Sequence, residues 1–189
     1  MKFLAKKIGP VITLLMAIWA VEILNIVMGH SLSGWGILPR SLGGLIGIPL
    51  APFIHAGLWH AISNTVPIFI LGGFMLSTGD KRFWHITVLI ILFTGALVWL
   101  FARSSYHVGA SGLVMGYFGA LLARAYFERS VITIAIAVVT VVLYSGLLWG
   151  LLPLRSYISF ESHFFGLLAG IAAVWLTSKQ APNRPPTDP

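Results

Sequence analysis

Residues 109–127 read GASGLVMGYFGALLARAYF, an apolar run with one serine, Ser111, near its start. As a helix, Ala110–Phe127 is long enough to cross most of a bilayer core about 30 Å thick. Its small residues share one helical face, at Gly112, Gly116 and Ala120. Small residues at this spacing let helix backbones approach closely in lipid. A polar group at membrane depth is costly, so Ser111 is a candidate functional residue.

The composition of the whole chain indicates that lipid is its solvent. Of the 189 residues, 58% are hydrophobic and only 9% are charged, whereas a soluble domain carries about 25% charged residues. The chain has no cysteine, which excludes a disulfide framework and thiol chemistry. These observations predict an all-α polytopic membrane protein.

Six apolar segments predict six transmembrane helices. Their expected bounds are Pro10–Met28, Ala56–Leu76, Phe83–Ala102, Ala110–Phe127, Val131–Gly150 and Ser159–Ser178. The long connection Gly29–His55 contains apolar pieces too short to span, so we expect it to lie partly embedded in the outer interface. Residues 1–180 are predicted to form a single membrane domain. The Pro-rich, polar residues 181–189 are predicted to be a disordered cytoplasmic tail.

The positive charges predict the orientation. Nine lie on one side of a six-span arrangement: Lys2, Lys6, Lys7, Lys81, Arg82, Arg124, Arg129, Lys179 and Arg184. Three lie on the other side: Arg40, Arg103 and Arg155. The positive-inside rule then makes both termini cytoplasmic. The net charge of +7 therefore reflects the membrane topology. A nucleic-acid-binding protein would carry its basic residues on one face with aromatic residues between them, and these charges are not arranged in that way.

Polar side chains gather at the outer ends of the second, fourth and sixth predicted spans. They are His55, His60 and Asn64, then Ser111, then His163. His60 and Asn64 are four residues apart and share a helical face. His163, Gly166 and Gly170 also share a face, so we expect the sixth span to pack tightly against the fourth. This packing would bring His163 within hydrogen-bond reach of Ser111.

These residue types together predict a serine nucleophile with a histidine base. An adjacent imidazole activates a serine hydroxyl by accepting its proton. The resulting oxyanion needs donors, which the helix start at Ser111 and the side chains of His60 and Asn64 can supply. Of the five acidic residues, Glu161 comes closest to His163 but faces elsewhere on the helix. The sequence therefore predicts a dyad, not a triad.

Several simpler readings stand beside this one. A Gly-x-Ser-Gly string often serves packing only, and a lone histidine in a span can be a structural hydrogen-bonder. A zinc site at His55, His60 and His163 is disfavoured because no cysteine or carboxylate completes it. We therefore expect no metal and no cofactor. His30, His85 and His107 are predicted to be solvated or interfacial, and the role of Glu22 in the first span stays open.

The chain resembles the rhomboid intramembrane serine proteases over nearly its whole length except the tail. The second span carries the family's His/His/Asn motif as His55-x4-His60-x3-Asn64. The fourth carries the nucleophile motif as Gly109-Ala110-Ser111-Gly112. The sixth carries His163-x2-Gly166-x3-Gly170. The resemblance implies a six-helix rhomboid-like bundle that cleaves single-span membrane proteins in or near their transmembrane segment.

The resemblance also implies residue roles. Ser111 would be the nucleophile and His163 the general base. His60, Asn64 and the Ser111 N–H would form the oxyanion hole. His55 would tie the first loop to the site. Supporting positions would be Gly109, Gly112, Gly166, Gly170 and Met115, the last standing where many members have a tyrosine.

The implied partners are transmembrane protein substrates and membrane lipid, with no nucleic acid and no metal. The short loops and the first-loop pattern suggest a bacterial plasma membrane. One alternative is a catalytically inactive rhomboid-like binder of membrane proteins, although such relatives usually lack the serine or the histidine. A transporter would need polar groups continuing through the bilayer, and the inner ends of the even-numbered spans carry none.

Overall fold

A computed structural model of the chain describes residues 2–153 and 159–178, with the side chains of residues 2–7 excluded. Within these ranges the protein is helical and contains no β-strand. The α-helices are α1 (Lys2–Val27), α2 (Gly47–Leu50), α3 (Leu58–Met75), α4 (Asp80–Phe101), α5 (Ser111–Glu128), α6 (Val131–Tyr144) and α7 (Phe160–Ser178). The predicted tail, residues 181–189, lies outside the described residues.

Five segments have the length and apolarity of membrane spans, which makes the chain an integral membrane protein. They are Ile8–Val27, Leu58–Thr78, Asp80–Phe101, Val131–Leu151 and Phe160–Ser178. All five agree with predicted segments within a few residues. The fifth predicted segment differs at its end, because α6 stops at Tyr144 and a 3₁₀ turn, Ser145–Leu151, completes the span.

The remaining predicted span, α5, is the central helix of the bundle. Helices α3, α4, α6 and α7 all pack against it, and every residue from Gly112 to Leu121 is buried. A helix surrounded by protein needs small side chains for close packing, not a strongly apolar surface for lipid. This position explains why α5 is the least apolar of the six long helices. In contrast, only 17% of the α6 span is buried inside the protein.

The first loop is a chain of short helical turns held against the C-terminal end of α4. Its 3₁₀ turns are Ser31–Trp35, Leu42–Ile46 and Ala51–Phe53, with α2 between the last two. Arg40 donates to the Ala102 carbonyl at 2.8 Å, and the Trp99 indole donates to the Ser41 carbonyl at 2.8 Å. These bonds fix the loop beside the segment that leads into α5.

Glu22 is fully buried in α1, and neither of its carboxyl oxygens has a hydrogen-bond partner among the described residues. One turn later, Asn25 is also buried and connects α1 to the first loop. Its amide donates to the His55 carbonyl at 2.9 Å and accepts from the Leu32 N–H at 3.1 Å. Asn25 thus anchors the loop to the first helix.

Candidate active site

The segment before Ser111 is held by two backbone hydrogen bonds from Gly109 and Ala110. The Gly109 N–H donates to the Ala51 carbonyl at 2.9 Å, and the Ala110 N–H donates to His55 Nε2 at 3.2 Å. Gly109 has φ +113°, a backbone conformation that favours glycine. This turn places Ser111 as the first residue of α5, partly exposed at the end of the bundle that also carries the first loop.

The start of α5 provides unpaired backbone donors beside the serine. The first helical hydrogen bond runs from the Val114 N–H to the Ala110 carbonyl at 2.9 Å. The N–H groups of Ser111, Gly112 and Leu113 therefore have no acceptor within the helix. The positive end of the helix dipole adds to their effect. An oxyanion formed at Ser111 would lie where these donors can stabilise it.

His60 and Asn64 lie one turn apart on α3, which packs against α5. The His60 ring packs closely on Gly109. A β-carbon added at Gly109 would overlap this ring and lie only 2.7 Å from its Nε2. Asn64 is 6% exposed, and its side-chain nitrogen has no hydrogen-bond partner in the described part of the chain. Donation from these two side chains to a group bound at Ser111 stays a prediction.

His55 lies just before α3 and is completely buried. Burial, with a smaller contribution from nearby His60, lowers the pKa of His55 to about 3. The ring is therefore neutral at physiological pH. Because Nε2 accepts from the Ala110 N–H, the proton resides on Nδ1. The His55 and His60 rings meet edge to face at 5.0 Å, a contact that the five-residue spacing does not suggest because His55 is outside the helix.

Helices α5 and α7 touch along the predicted glycines. A β-carbon added at Gly166 would overlap the Gly112 carbonyl oxygen, and one added at Gly170 would overlap the Gly116 carbonyl oxygen. A β-carbon added at Gly112 would lie 3.2 Å from the Ser162 carbonyl oxygen, a tight contact. Ser111 and His163 are the chain neighbours of these two residues, so their backbones are close together. Helix–helix distances this short require glycine at both sites.

No hydrogen bond joins the Ser111 hydroxyl to His163 in the described structure. Such bonds are often long in proteins without substrate and shorten in the reacting complex. The His163 ring donates from Nδ1 to the Gly150 carbonyl at 3.0 Å. This bond leaves Nε2 as the nitrogen that can accept a proton. His60 and His163 also lie within electrostatic range of each other.

The Glu161 carboxylate pairs with Arg103 and not with the catalytic candidate His163. The Arg103 side-chain nitrogen is 3.5 Å away, and the carboxylate accepts weakly from the Arg103 N–H at 3.4 Å. Glu161 thus joins the start of α7 to the end of α4. In the described residues, the orienting contact of His163 comes from a backbone carbonyl, not from a carboxylate.

His107 was expected to be solvated or interfacial. It is not solvated, because it is only 3% exposed; its position at the membrane interface stays a prediction. Its backbone pairs with Ile37 in both directions, at 3.0 and 2.9 Å, and its Nε2 donates to the Arg103 carbonyl at 3.0 Å. Its Nδ1 then accepts from the Ser159 hydroxyl at 2.7 Å. Burial lowers the pKa of His107, against a smaller opposing effect of the Arg103 carbonyl. The ring is therefore a neutral structural hydrogen-bonder.

Ser159 continues this connection into α7. Its hydroxyl oxygen accepts from the Ser162 N–H at 3.1 Å, as an N-terminal cap does, and contacts the Ser162 hydroxyl at 2.7 Å. The segment before Ser111 is thereby tied to the residue preceding His163. Nothing in the sequence marks this link, because a histidine in a short polar loop ordinarily indicates a solvated residue.

Two further expectations concern Met115 and metal binding. Met115 is buried in α5, at 1% exposure, one turn after Ser111. Its packing on the His163 ring stays a prediction. No group of three or more histidine, cysteine, aspartate or glutamate side chains within residues 2–153 and 159–178 has the arrangement of a metal site.

Comparison with known proteins gives a consistent result. The profile of the Rhomboid domain matches residues 43–180. An uncharacterized protein of Mycobacterium tuberculosis is 33% identical over 183 residues, which cover 92% of this chain and 75% of the relative. A Mycobacterium leprae protein is 32% identical over 92% of this chain and 72% of its own length. RHOMBOID-like protein 4 of Arabidopsis thaliana is 25% identical over 95% of this chain and 45% of its own length.

Proposed function

Because the chain belongs to the rhomboid family of membrane proteins, we propose that it is an intramembrane serine endopeptidase. It cleaves single-span membrane proteins in or near their transmembrane segment. Ser111 is the nucleophile and His163 the general base. The proposal needs no cofactor, because water and these side chains complete the reaction.

The reaction follows from the chemistry of the two side chains. The Ser111 hydroxyl attacks the scissile carbonyl carbon while His163 Nε2 accepts the hydroxyl proton. The oxyanion that forms is stabilised by the Ser111 N–H and the side chains of His60 and Asn64. His163 then protonates the leaving amine, and a water molecule activated by the same histidine hydrolyses the acyl-enzyme.

The observation that carries this proposal is the contact between the starts of α5 and α7. A β-carbon added at Gly112 would lie only 3.2 Å from the Ser162 carbonyl oxygen. This close approach of the residues next to Ser111 and His163 supports a site in which the two side chains act together. The free donors at the start of α5 and the bond from His163 Nδ1 to the Gly150 carbonyl support it further.

We also propose that the site opens toward the outer face of a bacterial plasma membrane, with both termini cytoplasmic. The distribution of positive charge supports this orientation. The first loop, beside the site, exposes apolar side chains such as Leu42 and Ile46. These side chains suit a loop partly embedded in the interface, where substrates arriving from lipid would meet it.

The experiment uses purified full-length protein in liposomes with a generic single-span substrate. Ser111→Ala and His163→Ala should abolish cleavage. Two matched controls should cleave like the parent: Ser178→Ala, whose hydroxyl bonds only its own helix, and His85→Ala, an exposed residue of α4. The parent should also react at Ser111 with a fluorophosphonate probe.

Equal cleavage by the Ser111→Ala variant would show that the dyad assignment is wrong. If the parent neither cleaves nor labels at Ser111, while it still binds the membrane protein, then it is a rhomboid-like binder and not a protease.

A further inference from the structure

The 3₁₀ turn that follows α6 packs against α7 beside His163. This turn, Ser145–Leu151, contains two glycines with different surroundings. The Gly150 carbonyl lies 3.0 Å from His163 Nδ1, whereas Gly146 has no neighbour that an added β-carbon would reach. Neither glycine has a positive φ. Gly150 is therefore needed because there is no space for a side chain, and not because of its backbone conformation.

We propose that Gly150 is the positioning residue for the general base of this protein, taking the place of the acidic member of a triad. The inference rests on the proposed function, because it assigns His163 its catalytic role. The Gly150 carbonyl accepts the Nδ1 proton of His163. The ring then has one tautomer, and the Nε2 lone pair is free to accept the proton of Ser111.

The need for glycine follows from the distances around its α-carbon. A β-carbon at position 150 would overlap His163 Nδ1 and lie 2.9 Å from Cε1. Real β-carbons do not approach ring atoms so closely, so any larger residue must push the ring or the turn away. Either movement breaks the hydrogen bond and releases the imidazole to rotate or to change tautomer.

No carboxylate in the described residues substitutes for this carbonyl. Glu161 is two residues before His163, but its carboxylate pairs with Arg103 at the end of α4. In a Ser-His-Asp triad the acidic member orients the imidazole and stabilises its charged form. A neutral carbonyl performs the first role fully and the second weakly.

The test compares Gly150→Ala with the matched control Gly146→Ala in the same turn. We expect Gly150→Ala to lower kcat by roughly 10- to 100-fold, a partial loss of the roughly 100- to 10,000-fold that proton transfer by a positioned base contributes. KM should stay within about twofold, since a base-positioning residue acts on the chemical step. The rate of fluorophosphonate labelling at Ser111 should fall in parallel. Gly146→Ala should match the parent in all three measurements.

A spectroscopic measurement on the parent protein does not depend on how the variant folds. Nitrogen-15 NMR of histidine-labelled protein, with the His163 signals assigned by difference from His163→Ala, reports which ring nitrogen carries the proton. We expect a protonated Nδ1 and an unprotonated Nε2 near neutral pH. The Gly150→Ala variant should lose this pattern.

Three outcomes would overturn the inference. The first is a protonated Nε2 on His163 in the parent protein. The second is a Gly150→Ala variant that retains the kcat of Gly146→Ala. The third is a change confined to KM, which would indicate a substrate-binding role for the turn. Failure of the proposed function is distinguishable from all three, because the parent protein itself would then neither cleave nor label.

Discussion

Gly166→Ala tests whether the contact between α5 and α7 holds the site together. The added methyl group would overlap the Gly112 carbonyl oxygen and lie 2.9 Å from its carbonyl carbon and 3.1 Å from its α-carbon. All three are backbone atoms of a buried helix, so no side chain can rotate to make room. The strain can be relieved only by separating the two helices.

The magnitude follows from two opposing effects. Overpacking a close-packed contact costs about 1–3 kcal/mol, whereas alanine favours a helix over glycine by about 1 kcal/mol. Gly166→Ala should therefore lower the free energy of unfolding by up to about 2 kcal/mol. Gly73→Ala is the matched control, because Gly73 is inside α3 with nothing near an added β-carbon. That variant should be neutral or slightly more stable.

The effect on activity should exceed the effect on stability. Relief of the overlap needs a separation of roughly 1 Å, and a misplacement of this size at a reacting centre can lower the rate on the order of 100-fold. Unfolding is measured by titration with SDS in mixed micelles, and kcat with the single-span substrate. If Gly166→Ala is as stable and as active as Gly73→Ala, then the close contact does not align Ser111 with His163.

Two further predictions concern pH and topology. The pKa of His55 is about 3 in the folded protein and 6.5 when unperturbed, so the unfolded state takes up the proton first as pH falls. The contribution of His55 to stability should therefore be constant above about pH 6.5 and fall below it by at most about 1.4 kcal/mol per pH unit. Unfolding titrations of the parent and of His55→Gln measure this contribution, and the variant should lose stability less steeply as pH falls. The chain has no native cysteine, so single-cysteine labelling reports topology directly. In intact cells a membrane-impermeant maleimide should label Tyr106→Cys and not Lys81→Cys, and the reverse pattern would invert the proposed orientation.

The spanning helices were predictable because apolarity and length are local properties of a sequence. Five of the six predicted segments qualify as spans within a few residues. The departure at the end of α6 is a change from α-helix to 3₁₀ turn, which hydropathy cannot distinguish. The central position of α5 was not predicted. Its small residues indicated close packing, but only the assembled bundle shows that helices surround it.

The candidate site was predictable in its residue types and less so in its connections. Helical spacing indicated that Gly166 and Gly170 lie on the face of His163, and the structure shows this face against α5. The burial of His107 was not predictable, because it results from hydrogen bonds to Arg103 and to Ser159, 52 residues away. The sequence also contained no sign that the Gly150 carbonyl contacts His163.

The amino-acid sequence alone was enough to predict the lipid solvent, the spans, the glycine faces, and a serine and a histidine expected at one depth. Each of these predictions follows from composition or from a period of 3.6 residues, and both can be read from one amino-acid sequence. Tertiary structure decided the partners of those side chains: the Ala110 N–H for His55, Arg103 for Glu161 and a backbone carbonyl for His163. Such contacts depend on how whole helices and loops pack together, so the orientation of the proposed base is a property of the assembled bundle.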